Sequence, residues 1–147
     1  MNTHIEDQLV DSLKIIWEET PQYSGLRVVD VPPKLRVLQD FLTTRFWPSL
    51  VRFIASGVLD RHGRTQEYSG FMFPEDLDPG DEPFEGVMIF DPLDTIYLSD
   101  SAFDRLMNRY FQTVIEGATK YQKDALKEDW WTEFFDIAKQ IKQRVSG

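Results

Sequence analysis

The spacing of apolar residues near the N-terminus predicts a helix. Apolar side chains recur at i, i+4, i+5, i+8, i+11 and i+12 from Ile5 to Trp17, with charged residues at most positions between them. This spacing places the apolar residues on one face of an α-helix. We therefore expect a first helix over residues 3–19, which ends before Pro21.

Two more helices are expected in the first half of the chain, after an irregular connection. The connection, residues 20–34, contains a stretch at residues 26–29 that can be extended. The apolar spacing over residues 35–46 again fits one face of a helix. The apolar run after Pro48 fits either a helix or a buried strand, and we favour a helix that is stopped by Gly57.

The middle of the chain has the pattern of a small antiparallel sheet. Residues 67–73, 84–90 and 95–98 are short, apolar segments rich in aromatic and β-branched side chains, which favours strands. A four-residue turn after Phe90 joins the last two strands as a hairpin. Residues 74–83 contain three prolines, one glycine and five acidic residues, so we expect a loop there.

The C-terminal third returns to helical spacing. Ser99 is a suitable N-cap for a helix that runs to Gly117, and a last helical region follows at residues 120–145. N-terminal helices, a small antiparallel sheet with a hairpin and C-terminal helices together predict an α+β fold. A chain of 147 residues is most simply one domain, residues 1–147.

The last helical region carries an aromatic cluster. Trp130 and Phe134 lie on its apolar face, so we expect them in the core. Trp131 and Phe135 lie about 100° further round the helix, at the edge of that face. A position at the edge of the core is favoured for this second pair, and an exposed anchor for a partner is the alternative.

The formal net charge of −9 is concentrated in the middle of the chain. Residues 1–64 carry 8 basic and 8 acidic side chains, and residues 105–147 carry 8 basic and 6 acidic ones. Residues 65–104 carry 11 acidic side chains and neither Lys nor Arg. A chain of this charge without a basic cluster repels phosphates, so we do not expect nucleic acid as a partner.

The acidic residues around the predicted hairpin are the candidate partner-binding site. Carboxylates at this density can bind calcium, act as acid and base, or imitate phosphates. The EF-hand pattern does not fit in either register, while a looser calcium site and a merely solvated loop stay open. Catalytic carboxylate pairs need a rigid frame, which a loop rich in proline does not predict. The candidate residues are Glu75, Asp76, Asp78, Asp81, Glu82, Glu85, Asp91 and Asp94.

Other chemistry has little support in the sequence. The chain has no cysteine and two histidines, His4 and His62, which we interpret as polar surface residues. Zinc-type spacing, a phosphate-binding glycine loop and a nucleophile elbow are all missing from the sequence. We therefore expect no metal, no cofactor and no enzyme activity.

The sequence also predicts no association with a membrane. No apolar run approaches the roughly 20 residues that a membrane-spanning helix needs. Residues 1–10 contain Glu6 and Asp7 and lack the basic and apolar regions of a signal peptide. Together with the absence of cysteine, these observations lead us to expect a cytoplasmic protein.

Part of the chain resembles a known family. The similar pieces are YSGFMFPEDL at 68–77, FEGV at 84–87, and a strand ending YLS before an amphipathic helix at 96–110. Over residues 68–110 the chain resembles the immunity proteins of contact-dependent growth inhibition and related bacterial polymorphic-toxin systems, of the CdiI type that protects against ribonuclease toxins. In these families the toxin-facing surface varies greatly, so the resemblance carries over no contact residues.

The resemblance implies a non-enzymatic inhibitor that forms a heterodimer with its cognate toxin domain and covers the active site. It also implies that Gly86 lies in a strand, that Phe84 and Val87 face inward, and that Ser99 caps a helix. The charge pattern agrees independently, because a nuclease toxin needs a basic cleft and an acidic surface complements it. The alternative is a small acidic regulatory or adaptor protein that binds a basic protein partner.

Overall fold

A computed structural model describes residues 3–146. The fold is α+β, as the sequence predicts. The helices are α1 (Asp7–Asp11), α2 (Arg36–Leu42), α3 (Pro48–Asp60), α4 (Asp100–Tyr121) and α5 (Asp129–Ser146). The strands are β1 (Lys14–Glu19), β2 (Ser24–Val29), β3 (Thr44–Arg45), β4 (Arg64–Gln66), β5 (Ser69–Met72), β6 (Val87–Phe90) and β7 (Thr95–Leu98).

The strands form two separate antiparallel sheets. The first sheet has the order β1-β2-β3, and the pairing of its hairpin runs from Lys14 opposite Val29 to Glu19 opposite Ser24. The second sheet has the order β4-β5-β6-β7, in which each strand pairs with the next one along the chain. The second sheet contains the predicted hairpin, and β4 adds a strand where none was expected.

The predicted helix over residues 3–19 is wrong. Only the five residues of α1 are helical, and the chain then becomes strand β1. Ile15 and Ile16 are β-branched residues that favour a strand, and the segment expected to be only partly extended supplies the pairing strand β2. The apolar spacing that fitted a helix therefore came from a helix and a strand in succession.

Neither glycine that was expected to end a helix does so. Gly57 lies within α3 and Gly117 within α4, and both are buried. A Cβ atom on Gly117 would lie 2.0 Å from Cδ2 of Trp17, and one on Gly57 would lie 2.5 Å from Cγ of Arg64. Both glycines therefore allow a close approach between a helix and a neighbouring side chain.

Helix α4 lies in the centre of the core and contacts both sheets. It begins as predicted, with the Ser99 hydroxyl accepting a hydrogen bond of 3.1 Å from the Ala102 N–H. Its buried Tyr110 shares a hydrogen bond of 2.9 Å with the Thr44 hydroxyl, and burial raises the pKa of Tyr110 to about 12. Phe71 of the second sheet packs tilted on the α4 residue Phe103, and Phe73, just after β5, packs edge to face on it.

The aromatic residues of α5 lie where the sequence predicts them. Trp130 and Phe134 are buried, Trp131 is half-buried against the core, and Phe135 is 43% exposed. No helix among residues 3–146 combines the length and the apolar character that crossing a membrane requires.

The N-terminal segment is fastened to α4 and to the edge of the second sheet. The Ile5 N–H donates a 2.8 Å hydrogen bond to the Tyr97 carbonyl in β7. Arg105 pairs with two carboxylates of α1, and Arg109 donates to two carbonyls at its end, at 2.9 Å and 2.6 Å. These bonds hold residues 5–13 between β7 and α4.

Candidate functional site

The eight candidate carboxylates lie at opposite ends of the second sheet. Because its strands alternate in direction, the connection β5–β6 lies at one end, and the turns β4–β5 and β6–β7 lie at the other. We call residues 73–86 the acidic loop, and residues 67–68 together with 91–94 the turn end. Six candidates belong to the acidic loop and two to the turn end, about 10 Å apart along four-residue strands.

The acidic loop is fixed where it leaves β5. The Asp76 carboxylate accepts hydrogen bonds from the Phe73 N–H at 2.8 Å and from the Gly63 N–H at 2.9 Å. Glu75 accepts two hydrogen bonds from the Arg61 guanidinium, at 2.6 and 3.1 Å. The charge-assisted bonds from Arg61 lower the pKa of Glu75. Both carboxylates are therefore engaged in holding the loop.

Arg61 joins three elements at this end of the sheet. It follows α3 in the left-handed conformation, with φ of 56°, and its guanidinium lies 4.6 Å from the centre of the Phe73 ring. It also pairs with Asp100 in the first turn of α4 at 3.2 Å. Its hydrogen bond with Glu75 raises the pKa of Arg61. These contacts of Arg61 connect the start of the acidic loop to α3 and α4.

The acidic loop is also fixed where it enters β6. Phe84 is 6% exposed and packs against Tyr97, with the ring centres 5.6 Å apart. Gly86 has φ of +81°, and a Cβ there would lie 2.1 Å from the Leu98 carbonyl oxygen. The inward positions of Phe84 and Val87 are confirmed, whereas Gly86 precedes the strand rather than lying in it.

One of the two histidines helps to hold this part of the loop. His4 is half-buried, and its Nε2 donates a 2.9 Å hydrogen bond to the Glu85 carbonyl. The same ring lies within 2.9 Å of the position that a Cβ on Gly86 would take. The interpretation as a surface residue fits His62, which is exposed, but not His4, which bonds to the acidic loop.

Four carboxylates of the acidic loop that follow Asp76 are exposed and form no ion pair among residues 3–146. Asp81 accepts a 2.8 Å hydrogen bond from the Asp78 N–H, which shapes the tip of the loop. Among residues 3–146, no Lys, Arg or His side chain forms an ion pair with any carboxylate of this group. We call this group the free carboxylates. They are Asp78, Asp81, Glu82 and Glu85.

At the turn end, Asp91 is a structural residue. Its side chain is 2% exposed and accepts hydrogen bonds of 2.8 Å from the N–H groups of Leu93 and Asp94. The Arg36 guanidinium donates to the same carboxylate at 2.9 Å. The bond from Arg36, and then those from the backbone, lower the pKa of Asp91 to about 2. Asp91 is therefore not available to a partner.

Two large apolar side chains are exposed beside Asp91. Tyr68 is 76% exposed in the β4–β5 turn, and Leu93 is 84% exposed in the β6–β7 turn. A groove of about 290 Å³ beside Tyr68 is lined by polar residues, including Asp40, whose pKa is raised by partial burial and then by neighbouring Asp91. Asp94 is exposed and accepts only the Thr95 N–H, at 2.8 Å, among residues 3–146.

Arginines from outside residues 65–104 neutralise part of the negative charge of that range. Asp91 pairs with Arg36 of α2, and both Glu75 and Asp100 pair with Arg61. Further along α4, Asp104 pairs with Arg144 of α5 at 3.6 Å, while partial burial raises the pKa of Asp104. The pairs leave most of the unbalanced negative charge on the acidic loop.

The structure adds residues that sequence analysis did not single out. Arg36 and Arg61 position the candidate carboxylates, although each lies 14 to 55 positions from its partner, and no local pattern indicates such a pair. Exposed Tyr68 and Leu93 were also missed, because one lay in a predicted strand and the other in a turn. Among residues 3–146, no group of three His, Cys, Asp or Glu side chains is placed to hold a metal ion.

Comparison with known proteins adds no relative. No protein-family model matches the chain, and searches of curated proteins and of solved structures find no match to it.

Proposed function

We propose that this chain is an immunity-type inhibitor that binds a basic protein partner through the acidic loop, and that the partner is a nuclease toxin domain. The observation that carries the proposal is the group of free carboxylates, which are exposed within eight residues and form no ion pair among residues 3–146. Elsewhere in residues 65–104, arginines form ion pairs with carboxylates that hold the fold. Among the free carboxylates, Asp81 accepts one backbone N–H within the loop, and none pairs with an arginine.

The acidic loop has the rigidity that a binding surface needs. Asp76 and Arg61 fix its start, and Phe84 with His4 fixes its end. A loop that is already ordered loses little conformational entropy when it binds, so more of the interaction energy contributes to affinity. The loop also exposes Pro79, a side chain with little freedom to lose.

A nuclease is the class of partner that this charge fits best. An enzyme that holds a polyanion needs a basic cleft, and an acidic surface competes for it with the same electrostatic attraction. Such attraction also accelerates association, which favours capture of a toxin before it acts. The resemblance of residues 68–110 to toxin immunity proteins supports the same partner class.

The test uses the C-terminal domain of a toxin encoded directly upstream of this chain, because an immunity gene directly follows its toxin gene. The loop variant replaces all free carboxylates with amides, as D78N/D81N/E82Q/E85Q. The control variant, E116Q/D124N/E128Q/D136N, removes the same number of exposed charges elsewhere on the surface. Association rates are measured by stopped-flow fluorescence at low and high ionic strength. We expect association of the loop variant to slow by about tenfold at low salt and to lose most of its salt dependence.

Three outcomes would contradict the proposal at different levels. Equal slowing of both variants would mean that the loop acts only through the net charge of the protein. Unchanged association of the loop variant would place the binding surface elsewhere. A genome with no toxin gene beside this one, or a toxin domain that the unaltered chain does not bind, would overturn the immunity function itself.

A further inference from the structure

One edge of the first sheet, strand β1, is open. Strand β1 is six residues long and pairs only with β2, so its other side has no strand beside it among residues 3–146. We infer that two copies of this chain pair through β1, in an antiparallel register that places Lys14 of each copy opposite Glu18 of the other. The inference is independent of the proposed function.

The register of the hairpin identifies the backbone groups that point outward. Thr20 and Tyr23 exchange both of their backbone hydrogen bonds, and in an antiparallel pair such bonded positions alternate along the strand. The even-numbered residues 14–18 therefore bond to β2. The backbone groups of Ile15 and Trp17 point away from β2, toward the side of β1 on which no strand pairs among the described residues.

A second copy of β1 can satisfy these groups in one favourable register. Ile15 of each copy then lies opposite Trp17 of the other, so their outward N–H and C=O groups bond to each other. Ile16 lies opposite its own counterpart on the two-fold axis. Lys14 and Glu18 form an ion pair on either side of that axis, because the order Lys-x-Ile-x-Glu is self-complementary when reversed.

The exposed side chains of β1 fit this arrangement. Side chains alternate along a strand, so Lys14, Ile16 and Glu18 share the face that points away from α4. Ile16 is 42% exposed, and a second Ile16 would cover it. Glu18 already accepts a bond from Arg27, and its remaining lone pairs are available to Lys14 of the second copy.

Other registers lose these contacts. A shift by one residue opposes outward-pointing groups with groups already bonded to β2. A shift by two places Ile16 against Glu18 or Lys14 and leaves at least one charge without a partner. Charged residues on an edge strand often prevent pairing with other chains, but here their order is complementary rather than repulsive.

The chain itself does not cover the edge on the side of the helix. A groove of about 480 Å³ lies between residues 13–16 and the outer side of α4. Asn108 lines this groove, and its buried side-chain oxygen has no hydrogen-bond partner among residues 3–146. The open groove leaves the start of β1 accessible to a second copy.

Single cysteines test the register directly, since the chain has none of its own. In Ile16→Cys, the two cysteines face each other at a Cα separation of about 4.5 Å, which suits a disulfide. In the matched control Lys14→Cys, they lie roughly 13 Å apart, which is too far. Under mild oxidation we expect at least tenfold more covalent dimer from the first variant. Equal yields from both, or none from Ile16→Cys, would overturn the register.

Charge reversal tests the ion pair and the dimer together. Lys14→Glu and Glu18→Lys should each be monomeric, because both place like charges across the axis. An equimolar mixture of the two restores both ion pairs and should sediment at twice the monomer mass of 17.2 kDa. Rescue by mixing also shows that both variants are folded. An unaltered chain that sediments as a monomer at concentrations up to about 100 µM would overturn the inference.

Discussion

The two ends of the second sheet use aspartate and glutamate for opposite purposes. At the turn end, the side chain of Asp91 is almost fully buried, accepts two backbone N–H groups and pairs with Arg36. At the acidic loop, Asp78 and Glu82 are exposed and pair with no basic side chain among residues 3–146. Formal charge along the sequence is therefore a poor measure of the charge that a partner can meet. What matters is whether the carboxylate already bonds to other groups of the fold.

The largest difference between the ends should appear on removal of Asp91. Asp91→Ala leaves two backbone N–H groups without their acceptor and Arg36 with only Asp40, so we expect the free energy of unfolding to fall by about 2–3 kcal/mol. Urea denaturation, monitored by circular dichroism, measures the free energy of unfolding. Asp94→Ala in the same turn is the control and should cost less than about 1 kcal/mol. Equal losses would show that Asp91 has no special place in the turn.

Lowering the pH should reduce the difference in stability between the unaltered chain and Asp91→Asn. The folded-state pKa of Asp91 is about 2, below its ordinary value of 3.8, so the charged form stabilises the fold above about pH 4. The contribution is lost as the pH falls from about 4 to about 2. Asp91→Asn should therefore be less stable than the unaltered chain by up to about 2 kcal/mol at pH 7, with the difference closing near pH 2. A constant difference across this range would contradict the assignment.

Loss of Arg61 should loosen the acidic loop without unfolding the sheet. Arg61→Ala removes the ion pairs with Glu75 and Asp100 and the contact with the Phe73 ring, at a cost of about 1–2 kcal/mol. Hydrogen exchange should accelerate in residues 74–86. Arg52→Ala is the control in α3, the helix that Arg61 follows, because Arg52 makes a single exposed ion pair. If both variants exchange alike, Arg61 does not hold the loop.

The smallest effect is expected at the free carboxylates. Asp78→Asn combined with Glu82→Gln should change the free energy of unfolding by less than about 0.5 kcal/mol, in the stabilising direction if mutual repulsion matters. Thermal unfolding at low salt measures the change. A loss comparable to that of Asp91→Ala would mean that these side chains hold the fold after all, and the contrast between the two ends would disappear.

The sequence predicts those elements whose pattern is local. The α4 and α5 stripes and the β6–β7 hairpin follow from the spacing of neighbouring residues and from Ser99 as a cap. Strand β1 could not be predicted in this way, because Ile16 and Trp17 fit the spacing of a helical stripe that begins at Ile5. Pairing with β2 and packing of Trp17 on Gly117 decide between a helix and a strand, and the second of these contacts is remote in sequence.

The acidic composition of the candidate site was predictable from the sequence, but the role of each acidic residue was not. The density of acidic residues after Phe73 is visible in the sequence and correctly indicates an exposed loop. Which carboxylates form ion pairs depends on Arg36 and Arg61. Their closeness to Asp91 and Glu75 follows only from the complete fold. The turn after β6 was expected, but the burial of Asp91 within it was not.

The contact between Trp17 and Gly117 has a consequence for synthesis of the chain. The ribosome makes the tryptophan about 100 residues before the glycine against which it packs. Until α4 is complete, the β1–β2 hairpin has neither its cover nor the bonds from Arg109 to the carbonyls before it. A nascent chain therefore exposes the face of the hairpin that carries Trp17 for most of its translation. Shielding of this hairpin is a late event in the biogenesis of the protein.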